Sequence, residues 1–490
     1  MKSIKFDFNN FFSDSIGSAH GISIKDIQRS KPLISKSHVH LKRLLSNQFN
    51  RVNLNLEWAQ LPYQNQKDIL KIKRLANYIV RHFDNVLFLG IGGSYLGLKS
   101  AQDALAMPYY NEFACLKARK PKIYFEGNNL DPDTLAVLLK SLKPKKTFVV
   151  VISKSGETIE TKSAFAIVEN WFKRSVGLCY GRQIIAITDP VSGSLRKKVN
   201  IENAKDRLSF RSLPLLKGVG GRYSEFNMGL LHLAIIGVDI NDVLKGAKDM
   251  DRICSKPNVF DNPAYMYALC EYLLCKGKKK DISILMPFCE SLKSTADWYC
   301  QLLAESTGKK YRRKIKIDSK GLEIWLPDKK VTATVGRTPI AARGTNDLHS
   351  IQQNNIEGIN NKTITFIRVQ DFKNEITINK RNDFIDKKRL SQLMGIAQEA
   401  TEWALTQAKR PNCTIVLPKL SPYYWAGLLF FFEKATAFEG ELLNIDAYNQ
   451  PGVEGYKNYM YYKLNKPGIS KSISSMIKKN PLLKKKKYII

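Results

Sequence analysis

The chain has 490 residues, 44% of them hydrophobic, which gives room for two or three domains and enough apolar mass for large cores; a disordered chain is excluded. Lys and Arg number 78 against 44 Asp and Glu, a formal net charge of +34, so nucleic-acid binding has to be considered. The lysines are scattered, with short clusters only at Lys276–Lys280, Lys309–Lys316 and Lys484–Lys487, and no zinc-finger spacing, RNP-like motif or basic heptad region accompanies them. The charge therefore reads as solvated faces, and no nucleic-acid partner is expected.

Eight cysteines lie singly between Cys115 and Cys413 without a CxxC pair, the pattern of reduced thiols in a cytoplasmic protein. The N-terminus, MKSIKFDFNNFF, has neither the apolar core nor the cleavage site of a signal peptide. The longest apolar helical stretch, near Tyr423–Phe432, is too short to span a bilayer, so no membrane partner is expected.

The first 50 or so residues read as helices and turns without visible chemistry. Strand-like runs then alternate with helical ones: Val86–Leu89, Lys122–Phe125, Thr147–Ile152 and Ile184–Thr188, separated by stretches such as Ser100–Met107 and Pro132–Leu142. A second set follows at Asp281–Phe288, Leu322–Trp325, Ile364–Val369 and Cys413–Leu417. This alternation predicts an α/β protein with two tandem domains, each a mainly parallel sheet covered by helices. The expected division is a helical segment over 1–50, a first α/β domain over 51–240, a second over 241–440, and a helical segment over 441–490 with a lysine-rich tail that frays beyond Lys471.

Six stretches carry possible chemistry. In LFLGIGGSYLGLKS (87–100) a strand runs into Gly90, Gly92, Gly93 and Ser94 and then a helix; glycines admit a ligand close to the backbone, and the helix start suits phosphate. The spacing matches neither the dinucleotide fingerprint nor a nucleoside-triphosphate loop, so a plain tight turn stays open. In VVVISKSGETIETKS (149–163), Ser153, Lys154, Ser155 and Thr158 follow a β-branched strand, as a phosphate loop or as helix caps. Two such sites in one domain, both ending in hydroxyls, favour a shared phosphate at the carboxyl ends of the strands. Glu157 and Glu160 are expected to face away from that anion or to act on the helix.

In GVGGRYSEFNMG (218–229), Arg222 follows two glycines and can face an oxyanion or make a surface salt bridge. In QLLAESTGKK (301–310), Gln301 and Glu305 are four apart on one helix face, and Glu305 is a candidate base or a solvated glutamate. GTNDLHSIQQ (344–353) holds His349, one of six histidines, for proton transfer or a structural cap. NQPGVEGYKNY (449–459) places Gln450 and Lys457 around a Pro-Gly turn, and Lys457 could donate to a substrate oxygen or lie solvated.

Together and in this order, these stretches resemble the glucose-6-phosphate isomerase family, from about residue 50 to about residue 460. The resemblance implies two sugar-isomerase domains and metal-free, cofactor-free interconversion of glucose 6-phosphate and fructose 6-phosphate, a reaction of glycolysis and gluconeogenesis. It implies that Gly93, Ser94, Ser153, Lys154, Ser155 and Thr158 hold the phosphate. Glu305 matches the family's base, which moves a proton between C2 and C1 through a cis-enediol, with Gln301 lining the same pocket. Arg222 matches the arginine that stabilises the enediolate. His349 matches the histidine that assists ring opening, with Lys457 near the ring oxygen and Gln450 beside it. In the family that histidine comes from the neighbouring subunit, which implies a homodimer. Mannose 6-phosphate as a further substrate stays open. Glu225 and Asn227 depart from the apolar and small residues usual after Gly-Gly-Arg-Tyr-Ser, which questions the packing behind Arg222, and the tail beyond Lys471 lies outside the resemblance.

Overall fold

A computed structural model describes residues 3–117, 119–379 and 382–489. The chain forms two compact units, Met1–Ala447 and Tyr448–Ile490.

The described residues of the larger unit form twelve strands: β1 (Lys5–Asp7), β2 (Asn85–Leu89), β3 (Lys122–Glu126), β4 (Thr147–Ile152), β5 (Ile184–Thr188), β6 (Arg211–Pro214), β7 (Ile282–Phe288), β8 (Lys309–Ile317), β9 (Glu323–Val335), β10 (Thr338–Ala341), β11 (Lys362–Asp371) and β12 (Asn412–Lys419). One five-stranded sheet has the order β3-β2-β4-β5-β6 and is parallel throughout. Every residue of its central strand β4, TFVVVI, is buried, as β-branched and aromatic residues covered on both faces should be. On one face Leu87, Leu89, Val149 and Val151 pack with Phe165, Val168 and Phe172 of the helix Ile159–Val176. On the other, Phe88 meets His232 of the helix Glu225–Ile236, edge to face at 5.2 Å.

The other five-stranded sheet has the order β1-β12-β11-β7-β10, with β7, β10, β11 and β12 parallel and β1 antiparallel on the edge. Two strands here differ from expectation. The N-terminal segment is not only helix and turn, because Lys5–Asp7 pairs with Thr414–Val416. Leu322–Trp325 does not join this sheet either: from Glu323 the chain runs back along β8 as a two-stranded antiparallel hairpin, and the sheet position goes to β10. The Ile–Trp–Leu run of β9 has a strand pattern, but its buried face meets an ionic cluster. Glu323 accepts a hydrogen bond from Trp325 Nε1 at 2.8 Å and is salt-bridged by Arg43. His40 on the helix Lys31–Ser46 bridges Glu323 at 3.2 Å and Glu441 at 2.7 Å, and Arg313 of β8 pairs with Glu441.

The apolar stretch near Tyr423–Phe432 belongs to a longer helix, Pro422–Leu443, in which every residue from Tyr424 to Leu442 is buried. Several of its charges are paired inside the protein: Lys434 with Asp251 at 2.5 Å and Glu439 with Arg337 at 2.7 Å. Among the described residues no helix is long and apolar enough to cross a membrane. The solvated reading of the lysine clusters needs correction, since Lys280 is 1% exposed and Lys309 and Arg313 are each 7% exposed. The Cys115 side chain lies outside the described part of the chain; the other seven cysteines are free thiols.

The smaller unit contains a short turn at Pro451–Val453 and two helices, Glu454–Lys463 and Lys471–Lys479. The tail expected to fray beyond Lys471 is helical to Lys479, where Ser470 caps the first turn by accepting the Ile473 N–H at 3.3 Å.

Candidate active site

Three loops at the carboxyl end of the first sheet come together. β2 runs into a turn, Gly92–Ser94, in which Gly92 has φ +58°, left-handed backbone that glycine adopts without cost. A β-carbon at Gly93 would lie 1.9 Å from the Gly221 carbonyl oxygen, so only glycine lets this loop rest against the backbone that leads into Arg222. A β-carbon at Gly92 would stand 3.0 Å from Gln301 Nε2. The GxGG stretch is thus a close-approach site that joins the first, third and fourth sequence motifs.

The second loop follows β4. Ser153 is buried, and its Oγ accepts the Gly156 N–H at 3.0 Å. Ser155 Oγ accepts the Glu157 N–H at 3.1 Å. Thr158 is the residue before the helix Ile159–Val176, and its side chain makes no capping hydrogen bond. Simple capping of this helix by Thr158, one of the two readings of the stretch, is not what the structure contains. The first N–H groups of the helix and the Thr158 hydroxyl remain available at its positive end. Lys154 Nζ donates to the Val219 carbonyl at 3.3 Å, which ties the loop to the segment before Arg222. The Glu157 carboxylate pairs with Lys162 at 3.3 Å.

Arg222 is 2% exposed, so the surface salt bridge is excluded. Its guanidinium is fully directed: Nε donates to Ser306 Oγ at 2.8 Å, one terminal nitrogen to the Ala447 carbonyl at 2.6 Å, and the other to Glu305 Oε2 at 3.2 Å. Glu305 lies in the last turn of the helix Lys293–Thr307 and is half-buried. Its second oxygen accepts from Gln301 Nε2 at 3.1 Å, as the four-residue spacing predicts. The Gln301 Oε1 atom is buried without a protein donor. The result is a carboxylate and a guanidinium held face to face, beside the glycine turn, with one side of the carboxylate open.

Glu225 resolves the question of packing behind the arginine. It is buried, and its Oε1 accepts the Trp298 indole N–H at 2.6 Å, which pins the helix after Arg222 to the helix that carries Glu305. Burial pushes the Glu225 carboxyl up to about 7, and burial together with the facing Glu225 pushes Glu433 well above the carboxylate range. Asn227 is satisfied locally, accepting the Leu216 N–H at 3.2 Å and donating to the Pro214 carbonyl at 3.3 Å.

His349 ends a short turn, Asn346–His349, and its side chain is exposed; no hydrogen bond of the described residues joins it to Arg222 or Glu305. Gln450 and Lys457 belong to the smaller unit, where Lys457 pairs with Glu454 at 3.1 Å. Among the described residues no group of three or more His, Cys, Asp or Glu side chains could hold a metal ion. Sequence reasoning missed Ser306, Tyr223 and Lys309. Tyr223 is buried against Trp58 at 5.0 Å with its hydroxyl 3.2 Å from Ser306 Oγ. All three lie inside or beside quoted motifs, but only their burial reveals a role.

The phosphoglucose isomerase family model matches residues 74–476. The chain is 35% identical over 482 residues to glucose-6-phosphate isomerase of Carboxydothermus hydrogenoformans, covering 97% of each chain. It is 32% identical over 477 residues to glucose-6-phosphate isomerase of Acetivibrio thermocellus, covering 96% of this chain and 97% of the relative. These spans exceed the stretch from residue 50 to 460 that the motifs carry, and the family match enters the lysine-rich tail. Among solved structures, a hypothetical protein from Thermus thermophilus superposes with a TM-score of 0.76 at 26% identity, covering 94% of this chain and 100% of that one. A glucose-6-phosphate isomerase from Chlamydia trachomatis shares the fold, with a TM-score of 0.69 at 21% identity and coverage of 86% and 80%.

Proposed function

The chain belongs to the phosphoglucose isomerase family, and we propose that it interconverts glucose 6-phosphate and fructose 6-phosphate by proton transfer through a cis-enediol. The observation that carries this reading is the Glu305–Arg222 pair, a half-buried carboxylate 3.2 Å from a buried guanidinium. Glu305 removes the proton from C2 of the open-chain aldose. The C–H electrons form the C1–C2 double bond, and negative charge develops on O1. Arg222 stabilises that charge in a pocket where its other donors are already fixed. The O2 hydroxyl proton passes to O1, and return of the proton from Glu305 to C1 on the electrons of the C1–C2 double bond, with the carbonyl re-formed at C2, gives the ketose.

The phosphate is bound away from the reacting carbons by Gly93, Ser94, Ser153, Lys154, Ser155 and Thr158, which provides positioning energy. Lys154 already reaches the loop before Arg222, and the helix start offers backbone N–H groups. Gln301 orients Glu305 and presents a buried acceptor to a substrate hydroxyl. His349 assists ring opening in the site of a second copy of the chain, a role its exposed position allows. Lys457 and Gln450 take the ring-oxygen role on the resemblance alone. The protein acts in the cytoplasm as a homodimer, without a metal.

The test is formation of fructose 6-phosphate from purified protein and glucose 6-phosphate, with and without EDTA. Turnover unchanged by EDTA is expected. No turnover overturns the assignment, and loss on chelation overturns the metal-free route. Glucose 6-phosphate deuterated at C2 should slow the reaction and leave part of its label at C1 of the product.

A further inference from the structure

We infer that Lys309 is a positioning residue for the isomerisation: it holds the last turn of the base-bearing helix so that Glu305 and the partner of Arg222 stay in register. This rests on the reaction proposed above. The helix Lys293–Thr307 ends at Gly308, and its last carbonyls have no partner within the helix. The side chain of Lys309 folds back onto two of them. Its Nζ donates to the Glu305 carbonyl and, at 3.1 Å, to the Ser306 carbonyl.

These two residues are the ones that meet the arginine. Glu305 pairs with one nitrogen of Arg222, and Ser306 Oγ accepts from its Nε. One ammonium therefore grips the two peptide units from which both contacts hang. Lys309 is 7% exposed and has no other role in view. A cation here also counters the negative end of the helix dipole. Lys309 touches no reacting atom; it acts through Glu305 and Ser306.

The charged groups around Nζ are the Arg222 guanidinium and the carboxylates of Glu305 and Asp446. Burial, then Arg222, pulls the Lys309 ammonium down to about 8, against the two carboxylates. Above that pH the neutral amine has only two N–H donors and no charge at the helix end. The enediolate then forms in a less positive site, so turnover should fall on the alkaline side.

The experiment compares the full-length parent with Lys309→Met and Lys309→Arg. Misplacing a reacting group by a fraction of an ångström to one ångström costs up to about 10²-fold. Lys309→Met should lower kcat about 10- to 100-fold with KM for fructose 6-phosphate within about twofold, because the phosphate loops are untouched. The parent's kcat should decline through about pH 8, and that decline should be absent in Lys309→Met. Lys309→Arg keeps a charge that does not titrate in this range, so it should restore part of kcat and keep it flat above pH 8. Parental kcat in Lys309→Met, or a rise in KM without loss of kcat, overturns the inference. If Lys309→Met does not fold, the parent's profile decides, and a kcat flat from pH 7 to about 9.5 overturns it. A parent without turnover would instead remove the isomerase reading itself.

Discussion

The two five-stranded sheets use the same strand–loop–helix unit, but the proposed functional groups lie at opposite ends of the helix. After β4 the functional groups lie at the start of Ile159–Val176, where free N–H groups and the positive dipole end favour an anion. After β7 the functional group is Glu305, in the final turn of Lys293–Thr307. That end is negative and has carbonyls to satisfy, so a carboxylate is disfavoured there unless cations surround it. Arg222 and Lys309 do so, one on the side chain and one on the backbone. On the proposed reading, an anion would be gripped where the helix already favours it, and the base would be kept where the helix opposes it and outside charges must compensate.

This contrast predicts that changes after β7 act on kcat and changes after β4 act on KM. The largest effect should come from Glu305→Gln, which keeps the shape but removes the base and one of the two acceptors that Arg222 and Gln301 use; kcat should fall about 10³-fold, near the middle of the range for losing a general base. Turnover within tenfold of the parent would show that the proton is taken elsewhere. Arg222→Lys should cost about 10²-fold in kcat, since an ammonium cannot reproduce three directed donors. Circular dichroism must show a folded variant, because Arg222 is buried and its partners would be left unsatisfied. Ser155→Ala and Thr158→Ala should each raise KM about tenfold, the loss of one hydrogen bond to a charged group, with kcat within about twofold. Inorganic phosphate should inhibit both variants correspondingly less. A fall in kcat at parental KM in either would break the division of labour.

The smallest effect on turnover belongs to Glu225→Gln, which acts on stability. Burial raises the Glu225 carboxyl to about 7 in the folded chain, against 4.5 as its ordinary value. The folded state then binds more protons than the unfolded state between these values. Stability due to this group is present below about pH 4.5 and is lost as pH rises through 7. The glutamine keeps an acceptor for the Trp298 indole and removes the titration. Its melting temperature should therefore decline less than the parent's between pH 5 and 8, with kcat changed less than about twofold. Equal slopes would show that Glu225 is not the group responsible.

Much of the first sheet is readable in sequence because its central strand is β-branched and continuous, and Thr147–Ile152 coincides with β4. β10 and β1 are not, since TPIA is short and contains a proline, and KFD has too few residues for a period. Leu322–Trp325 shows the complementary failure: alternation identifies a strand but not the sheet that receives it. In the site, the i, i+4 spacing placed Gln301 and Glu305 on one helix face, and there they are hydrogen-bonded. Lys309 was hidden in a basic run, because burial of one lysine among many depends on where a hairpin folds back, and charge counting does not carry that information. Arg222 was found through its glycines, while Ser306 and Tyr223 have side chains ordinary enough to escape any pattern.

The helix Ile159–Val176 begins without a side-chain cap from Thr158. Such a cap is ordinarily worth about 1 kcal/mol. A bound phosphate would take over that task, so substrate completes an element of the protein's own secondary structure. Occupancy and local order then become one equilibrium. Amide exchange at Glu160 and Thr161 should slow when inorganic phosphate or a hexose phosphate is added, while exchange deep in Pro422–Leu443 should not change.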